Sequence, residues 1–165
     1  MDVGTGSGCI ALALKRHFPL AEVHGLDVSD AALEVARRNA ILNGLQVRWG
    51  RTDVLDDRCM LPAGTDLVVS NPPYIPRIEA PSLDPHVRDH EPALALFVDD
   101  EDPIRFHKAI GQRAMEALVH GGTLWFEGHH RTIGDVPAVL RTMGYQEATL
   151  LHDLSGAPRF VRAVR

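Results

Sequence analysis

Four consecutive residues, Asn71, Pro72, Pro73 and Tyr74, have the types best suited to holding a reacting group. Neither proline carries a backbone N–H, and each favours extended geometry in the residue before it, so this stretch offers carbonyl acceptors and almost no donors. The side chain of Asn71 adds an acceptor, and Tyr74 adds a flat aromatic ring. Such a cluster suits a planar group with N–H donors, such as an amide or an amino group. The alternative is a proline-stiffened turn without a chemical role.

The residues just before this motif are predicted to place it at the edge of a sheet. Asp66 to Ser70 is an apolar run, Asp-Leu-Val-Val-Ser, which is typical of a buried parallel strand. In open α/β sheets, ligands bind just beyond the carboxyl ends of such strands. The motif therefore falls where chemistry is usually done in these sheets.

A glycine-rich turn near the start of the chain is a second candidate site. Asp2 and Val3 precede it, and a helical pattern from Cys9 to His17 follows it. Glycines at alternate positions let a ligand approach the backbone, and the helix N-terminus offers N–H groups to a phosphate or a carboxylate. The spacing is G-x-G-x-G and differs from that of the dinucleotide motif. This difference favours a nucleoside with an amino-acid tail over a pyrophosphate as the ligand. The candidate residues are Gly4, Thr5, Gly6, Ser7 and Gly8.

An acid follows the second predicted strand. Asp27 ends the strand that begins at Glu22, at the distance from the glycines where a carboxylate accepts hydrogen bonds from ribose hydroxyls. The alternative role is to cap the next helix, predicted over 30–43 and ended by Gly44. Ser29 or Asp30 is better placed for that capping role, which favours the ribose interpretation.

The remaining pattern continues the alternation of strands and helices. Asp53 and Val54 follow a third predicted strand, and Asp53 is either an acceptor for an adenine amino group or an ordinary loop acid. The alternation predicts an α/β fold with a doubly wound, mostly parallel sheet, closed by a hairpin at its edge. The further predicted elements are a third strand at 45–49, a helix at 102–119, a strand at 123–127, a helix at 133–143, and strands at 147–151 and 159–164.

Residues 75–92 carry four prolines and no clear period, so they are predicted to form a long surface loop that covers or contacts a substrate. His86 and His90 lie there among acids. The proline content argues against a fixed helical pair of ligands, so we expect no metal site.

Composition indicates one ordinary domain spanning residues 1–165. Of the 165 residues, 45% are hydrophobic and 24% are charged, and the net charge of −5 argues against a large phosphate-binding face. The two cysteines support no disulfide framework, which favours a reducing cytosol and a cytoplasmic protein. No membrane span or signal peptide is predicted, and nothing demands more than a monomer.

The glycine turn, the acid in Gly-Leu-Asp-Val-Ser and the segment Val-Val-Ser-Asn-Pro-Pro-Tyr-Ile-Pro stand in order along the chain. Together they resemble the S-adenosylmethionine-dependent methyltransferases. With Val-Arg-Asp-His-Glu-Pro (87–92), Gly-Gly-Thr-Leu-Trp-Phe-Glu (121–127) and Asp-Leu-Ser-Gly (153–156), the chain more closely resembles the HemK-type release factor glutamine methyltransferases. This resemblance covers nearly all of the chain.

The resemblance implies a Rossmann-like, seven-stranded methyltransferase sheet with an antiparallel edge strand. It implies methyl transfer from S-adenosylmethionine, leaving S-adenosylhomocysteine, to the side-chain nitrogen of the Gln in the Gly-Gly-Gln motif of release factors. Residues 4–8 would hold the methionine end of the cofactor, Asp27 the ribose, and residues 71–74 the substrate amide.

Three features depart from the family pattern. Val54 stands where relatives often have an aromatic residue, which weakens the expectation of adenine stacking there. Residues 156–160, Gly-Ala-Pro-Arg-Phe, replace a charged pattern. Only Met1 to Val3 precede the glycine turn, so we expect a shortened first strand, without the helical domain that precedes it in relatives.

Two other functions remain open on the sequence. A nucleic-acid methyltransferase could present an exocyclic amino group of adenine or guanine to the same acceptors. The acidic balance and the lack of a target-recognition domain argue against it. The other alternative is an inactive fragment that binds only cofactor or partner proteins.

Overall fold

The computed structural model describes residues 1–90 and 92–165, and the side chains at 87, 89 and 90 lie outside that description. The strands are β1 (Asp2–Val3), β2 (His24–Asp27), β3 (Arg48–Arg51), β4 (Thr65–Ser70), β5 (Ile75–Pro76), β6 (Phe97–Val98), β7 (Leu118–Glu127), β8 (Glu147–His152) and β9 (Pro158–Val164). The α-helices are α1 (Cys9–His17), α2 (Asp30–Asn43), α3 (Pro85–His90), α4 (Ala93–Leu96), α5 (Arg105–Ala117) and α6 (Val136–Thr142). Two 3-10 helices span Arg77–Ser82 and Ile133–Asp135.

Seven strands form one sheet in the order β3-β2-β1-β4-β7-β9-β8. The pairs from β3 to β7 are parallel, whereas β9 runs antiparallel to both β7 and β8. The predicted α/β class, the seven-stranded, mostly parallel sheet and the hairpin at its edge are confirmed. The strand order reverses between β1 and β4, and a reversal of this kind opens a crevice at the carboxyl ends of the strands.

Helix α2 begins and ends as its sequence predicts. The Ser29 hydroxyl accepts a hydrogen bond from the Ala32 amide at 3.2 Å, which caps the N-terminus. Gly44 adopts a φ of 62° at the C-terminus, and its N–H donates to the last carbonyls of the helix. Because Ser29 does the capping, the side chain of Asp27 is not needed for it.

The segment predicted as a long loop is more ordered than its sequence indicates. Within 75–92 the structure has β5, a 3-10 helix and α3, and β5 pairs in parallel with β6. Strands of two residues are too short to show a period, so the pattern could not predict them. Glu91 of the family segment lies outside the described residues.

Several element boundaries also differ from prediction. Strand β3 begins at Arg48 and not at residue 45, and α6 begins only after a 3-10 turn. Helix α5 begins at Arg105, after the predicted residue 102, and ends at Ala117, before the predicted residue 119. The side chain of Asp102 pairs with Lys108 at 2.8 Å. Leu118 already belongs to β7, which is longer than the predicted strand.

Most of the largest fully buried side chains lie where α5, α6 and the strands β4, β7 and β9 pack together, and they include Phe126, Leu124, Ile110, Leu140 and Val161. This core supports the carboxyl ends of the central strands. Strand β1 spans only Asp2–Val3, yet it pairs with β2 and with β4. In the described part of the chain, none of the helices has the length and apolar character needed to cross a bilayer.

Candidate functional site

A pocket of about 330 Å³ opens at the carboxyl ends of β1, β2 and β4, at the reversal of strand order. The sequence-predicted residues that line it are Gly4, Gly6, Ser7, Asp27, Asp53, Val54, Asn71, Pro72 and Pro73. The structure thus brings together residues from four separate stretches of the chain. Thr5, Gly8 and Tyr74 were also predicted as site residues, but they do not line this pocket.

The glycine turn has the backbone geometry that its composition indicates. Gly4, Gly6 and Gly8 have φ values of 71°, 55° and 84°, in the region that side chains disfavour. A Cβ built on Gly6 would meet no atom within 4 Å, so this part of the turn faces open space. The backbone N–H of Ser7 has no hydrogen-bond partner among the described residues. The turn therefore offers a free donor to a ligand in the pocket.

Thr5 and Gly8 shape the turn from behind. The Thr5 hydroxyl is buried and donates to the Asp2 carboxylate at 2.5 Å. A Cβ on Gly8 would lie 2.8 Å from the indole of Trp49, and one on Gly25 would lie 2.3 Å from it. Trp49 thus fills the space that two glycines leave, and it packs beneath the turn. Sequence reasoning missed this contact because Trp49 lies far from the glycines along the chain.

Asp2 is a buried acid that fixes the turn to α1. Its Oδ2 accepts from Thr5 and from the Ala11 amide at 3.0 Å, while Oδ1 has no partner among the described residues. Burial raises the pKa of this carboxyl above its ordinary value. Since Asp2 is only 1% exposed, it acts as an internal anchor of the turn.

Asp27 is held in a fixed orientation at the pocket edge. Its Oδ2 accepts from the Gly6 amide at 2.8 Å, and its Oδ1 accepts from the Ser29 amide at 2.9 Å. Each carboxylate oxygen retains a further lone pair for a hydroxyl donor. Asp53 also lines the pocket, and its Oδ1 accepts from the Leu55 amide at 2.9 Å.

The Asn-Pro-Pro-Tyr motif leaves β4 directly at the pocket. The buried Ser70 hydroxyl donates to the Val3 carbonyl at 2.6 Å and ties the end of β4 to β1. Asn71 is exposed, and its side chain makes no hydrogen bond to a described residue. The Pro72 carbonyl also accepts none from the described part of the chain. Two acceptors beside the pocket are therefore free to bind donors.

Tyr74 is held outside the pocket wall by Glu127. Its hydroxyl donates to Glu127 Oε1 at 3.2 Å, and its ring lies 6.4 Å from that of His129. Burial, followed by the nearby charge of Glu127, raises the pKa of Tyr74 to about 12. The phenol therefore stays neutral at physiological pH and cannot act as a base there.

Several pocket residues were not predicted from the sequence. Phe106 and Ile110 reach the pocket from α5, and Leu94 reaches it from α4. Helix α5 follows the pocket strands at a distance in sequence, and its apolar residues fit an ordinary core face. Nothing in the sequence distinguishes the pocket-facing members from the others.

His86 and His90, the two histidines considered as metal ligands, are only partly described by the structure. The described residues include no group of three or more potential ligands. The side chain of His90 and the whole of Glu91 lie outside the described residues. His129 is buried, and its ring nitrogen lies 3.2 Å from Glu79.

Comparison with known proteins agrees with this geometry. The model of the methyltransferase small domain family matches residues 1–81. The release factor glutamine methyltransferase of Bacteroides thetaiotaomicron is 38% identical over 165 residues, which are 100% of this chain and 59% of that protein. The protein of the same name from Deinococcus radiodurans is 44% identical over 165 residues, 100% of this chain and 57% of its own length.

The chain is thus similar over its whole length to proteins named release factor glutamine methyltransferase. It spans between 57% and 59% of the length of these two relatives. Neither alternative raised by the sequence, a nucleic-acid methyltransferase or an inactive fragment, is favoured by these relatives.

Solved structures share the fold of this chain. A methyltransferase from Pyrococcus furiosus matches with a TM-score of 0.70 and 18% identity, over 99% of this chain and 74% of that one. The S-adenosylmethionine-dependent methyltransferase SibL matches with a TM-score of 0.66 and 22% identity, over 99% of this chain and 49% of its own. At these identities the likenesses show a shared fold.

SibL is S-adenosylmethionine-dependent, and the pocket of the present chain has groups that suit that molecule chemically. The free N–H at Ser7 suits a carboxylate, and the oriented carboxylate of Asp27 suits a pair of hydroxyls. The lining is otherwise largely apolar, from Val28, Ala32 and Val54, which suits a nucleobase.

Proposed function

We propose that this protein transfers a methyl group to the side-chain amide nitrogen of the Gln in the Gly-Gly-Gln motif of peptide chain release factors. One observation carries the proposal: the Asn71 side chain and the Pro72 carbonyl are acceptors beside the pocket that have no hydrogen-bond partner in the described part of the chain. A primary amide has two N–H donors in one plane, which match two such acceptors. The names of the relatives support the choice of a glutamine in a release factor.

We assign the cofactor contacts by position along the pocket. The glycine turn, Gly4 to Gly8, would hold the amino-acid end, with Ser7 donating to the carboxylate and with Thr5 and Gly8 acting through the shape of the turn. Asp27 would accept from the ribose hydroxyls. Asp53 and Val54 would border the adenine, with Asp53 accepting from its amino group.

Orientation would supply most of the rate enhancement. An amide nitrogen is a weak nucleophile, because its lone pair is delocalised into the carbonyl. When bound, S-adenosylmethionine supplies an electrophilic methyl group on a sulfonium. Asn71 and Pro72 would hold the amide nitrogen in line with that methyl group and stabilise the positive charge that grows on the nitrogen. Tyr74 and Pro73 would confine the flat amide by packing.

The setting of this function follows from its substrate. Release factors work in translation termination, so we propose a cytoplasmic enzyme that acts on a protein. The net charge of −5 is unfavourable for binding a nucleic-acid backbone. We propose a monomer.

The test is transfer of labelled methyl from S-adenosylmethionine to four acceptors: a purified release factor, the same factor with its Gly-Gly-Gln glutamine replaced by alanine, ribosomal RNA and DNA. We expect label on the release factor alone, and loss of label with the glutamine replacement. Label on RNA or DNA instead would overturn the choice of substrate while leaving the amide-type site in place. No label on any acceptor would overturn the proposed activity.

A further inference from the structure

Glu127 lies beside the substrate motif without belonging to it. It ends β7, the neighbour of β4 in the sheet, where Phe126 pairs with Ser70. Glu127 and Asn71, which follow this pair, therefore lie at the same level at the carboxyl ends of the two strands. Glu127 Oε1 accepts from the Tyr74 hydroxyl at 3.2 Å, across 53 positions of sequence.

The backbone of Glu127 is fixed from several sides. The His107 ring on α5 lies 2.9 Å from the Glu127 carbonyl through its Nε2, which must donate because a carbonyl only accepts. Glu127 also pairs with Phe160 of β9, and the next amide, Gly128, donates to the Arg159 carbonyl at 3.0 Å. Burial lowers the pKa of His107 to about 4, so the ring remains a neutral donor at pH 7.

The hydroxyl of Tyr74 links the motif to β7 through Glu127. The phenol is neutral and donates to a carboxylate, a type of hydrogen bond stronger than one between neutral groups. The ring is thereby tied at its far end to β7, while its backbone follows two prolines that restrict rotation. Asn71 and Pro72 lie on the same short segment, so a fixed Tyr74 also limits movement of the two free acceptors.

We propose that Glu127 is a positioning residue that acts through Tyr74 to hold the Asn-Pro-Pro-Tyr acceptors in the orientation that methyl transfer requires. This inference rests on the proposed function. Glu127 need not touch the substrate or the cofactor, and it does not line the pocket. Its effect should therefore appear in the rate of transfer and not in the affinity for the cofactor.

The test is a double-mutant cycle with Glu127→Ala, Tyr74→Phe and the double variant, measured as kcat and KM for release factor methylation. We expect Glu127→Ala to lower kcat by roughly 10- to 100-fold, as a small misplacement of reacting groups does. Affinity for S-adenosylhomocysteine and Tm should stay near those of the unchanged protein. The double variant should be no slower than the slower single variant, because both replacements break the same contact.

Two further variants distinguish positioning from a general structural role. Glu127→Gln keeps an acceptor for the Tyr74 hydroxyl and should restore most of the lost kcat. Glu116→Ala, an exposed acid on the far part of α5, is the matched control and should leave kcat unchanged.

The outcomes separate this inference from the proposed function. If the unchanged protein labels the release factor, two results would show that the positioning role is wrong while the function stands. One is a double variant whose loss of kcat is the product of the losses in the two single variants. The other is a Glu127→Gln variant as slow as Glu127→Ala. If Glu127→Ala lowers Tm in parallel with kcat, the role is structural only. If the unchanged protein does not label the release factor, both proposals fail.

Discussion

At the residue scale, three aspartates near the site have different surroundings. Asp2, Asp27 and Asp53 all lie in or just after strands near the pocket, but Asp2 is buried behind the glycine turn, whereas the other two line the pocket. The sequence was sufficient to predict the two lining acids from their place after strands. It could not predict that Asp2 anchors Thr5, because this contact depends on how the turn folds back.

His107 provides a pH-dependent prediction at this scale. Its pKa is about 4 in the folded protein, below the ordinary value of 6.5, chiefly because burial disfavours the charged ring. As pH falls from 6.5 toward 4, the unfolded chain takes up a proton that the folded protein does not. The free energy of unfolding should therefore fall in this window, by roughly 3 kcal/mol at most, and be unaffected by His107 above it.

The measurement is chemical denaturation of the unchanged protein and of His107→Gln, whose amide can still donate to the Glu127 carbonyl. We expect the stability advantage of the unchanged protein over the variant to shrink as pH falls from 7 to 5. A difference between the two that stays constant over this range would show that His107 is not buried in its neutral form.

At the element scale, the elements with strong local signals were predicted well and those formed by distant pairing were not. Helix α1 has its predicted bounds, and α2 has both its predicted bounds and its predicted caps. Strands β5 and β6 were missed, because each has two residues and their pairing alone stabilises them. The start of α5 was placed too early, since Asp102 followed by Pro103 has the form of a cap but forms an ion pair with Lys108 instead.

The end of α2 makes a prediction about stability. Gly44 has a φ of 62° and open space around its missing Cβ, so Gly44→Ala introduces backbone strain without a clash. We expect a loss of about 1 kcal/mol in the free energy of unfolding. Gly134→Ala is the matched control, because Gly134 also has open space but an ordinary φ.

Chemical denaturation of the two alanine variants checks this prediction. The control should be neutral or more stable by up to about 1 kcal/mol, since alanine restricts the unfolded chain. Equal effects of the two replacements would contradict the conformational explanation of the C-cap.

At the scale of the whole molecule, the pocket joins segments that are far apart in sequence. Residues of the glycine turn, β2, the 52–54 loop, the Asn-Pro-Pro-Tyr motif and α5 meet at one edge of the sheet. The alternation of strands and helices predicted this edge, because parallel strands bring their carboxyl ends together. The contributions of Phe106 and Trp49 were not predictable, since they depend on how helices and loops cover the sheet.

Binding at this edge should stabilise the whole fold. S-adenosylhomocysteine at about 100 times its Kd should raise the free energy of unfolding by about 2.7 kcal/mol, because only the folded chain has the site. We expect Asp27→Asn to bind more weakly and to lose most of this gain at the same concentration, since one acceptor oxygen becomes a donor. Thermal unfolding with and without S-adenosylhomocysteine measures the gain.

The matched control for that experiment is Asp57→Asn, a replacement at a fully exposed acid outside the pocket. This variant should keep the full gain in Tm. An equal gain for Asp27→Asn and the unchanged protein would remove Asp27 from the cofactor site.

The central claim is that free acceptors at Asn71 and Pro72 hold the amide for methyl transfer. The most direct test is the rate of transfer to a release factor by Asn71→Ala at saturating S-adenosylmethionine, beside S-adenosylhomocysteine affinity from calorimetry. The control is Asn43→Ala, an exposed asparagine at the end of α2. We predict a loss of roughly 100- to 1,000-fold for Asn71→Ala, with affinity nearly unchanged, and no change for the control. Transfer by Asn71→Ala at the rate of the unchanged protein, or loss of transfer together with loss of S-adenosylhomocysteine binding, would contradict the claim.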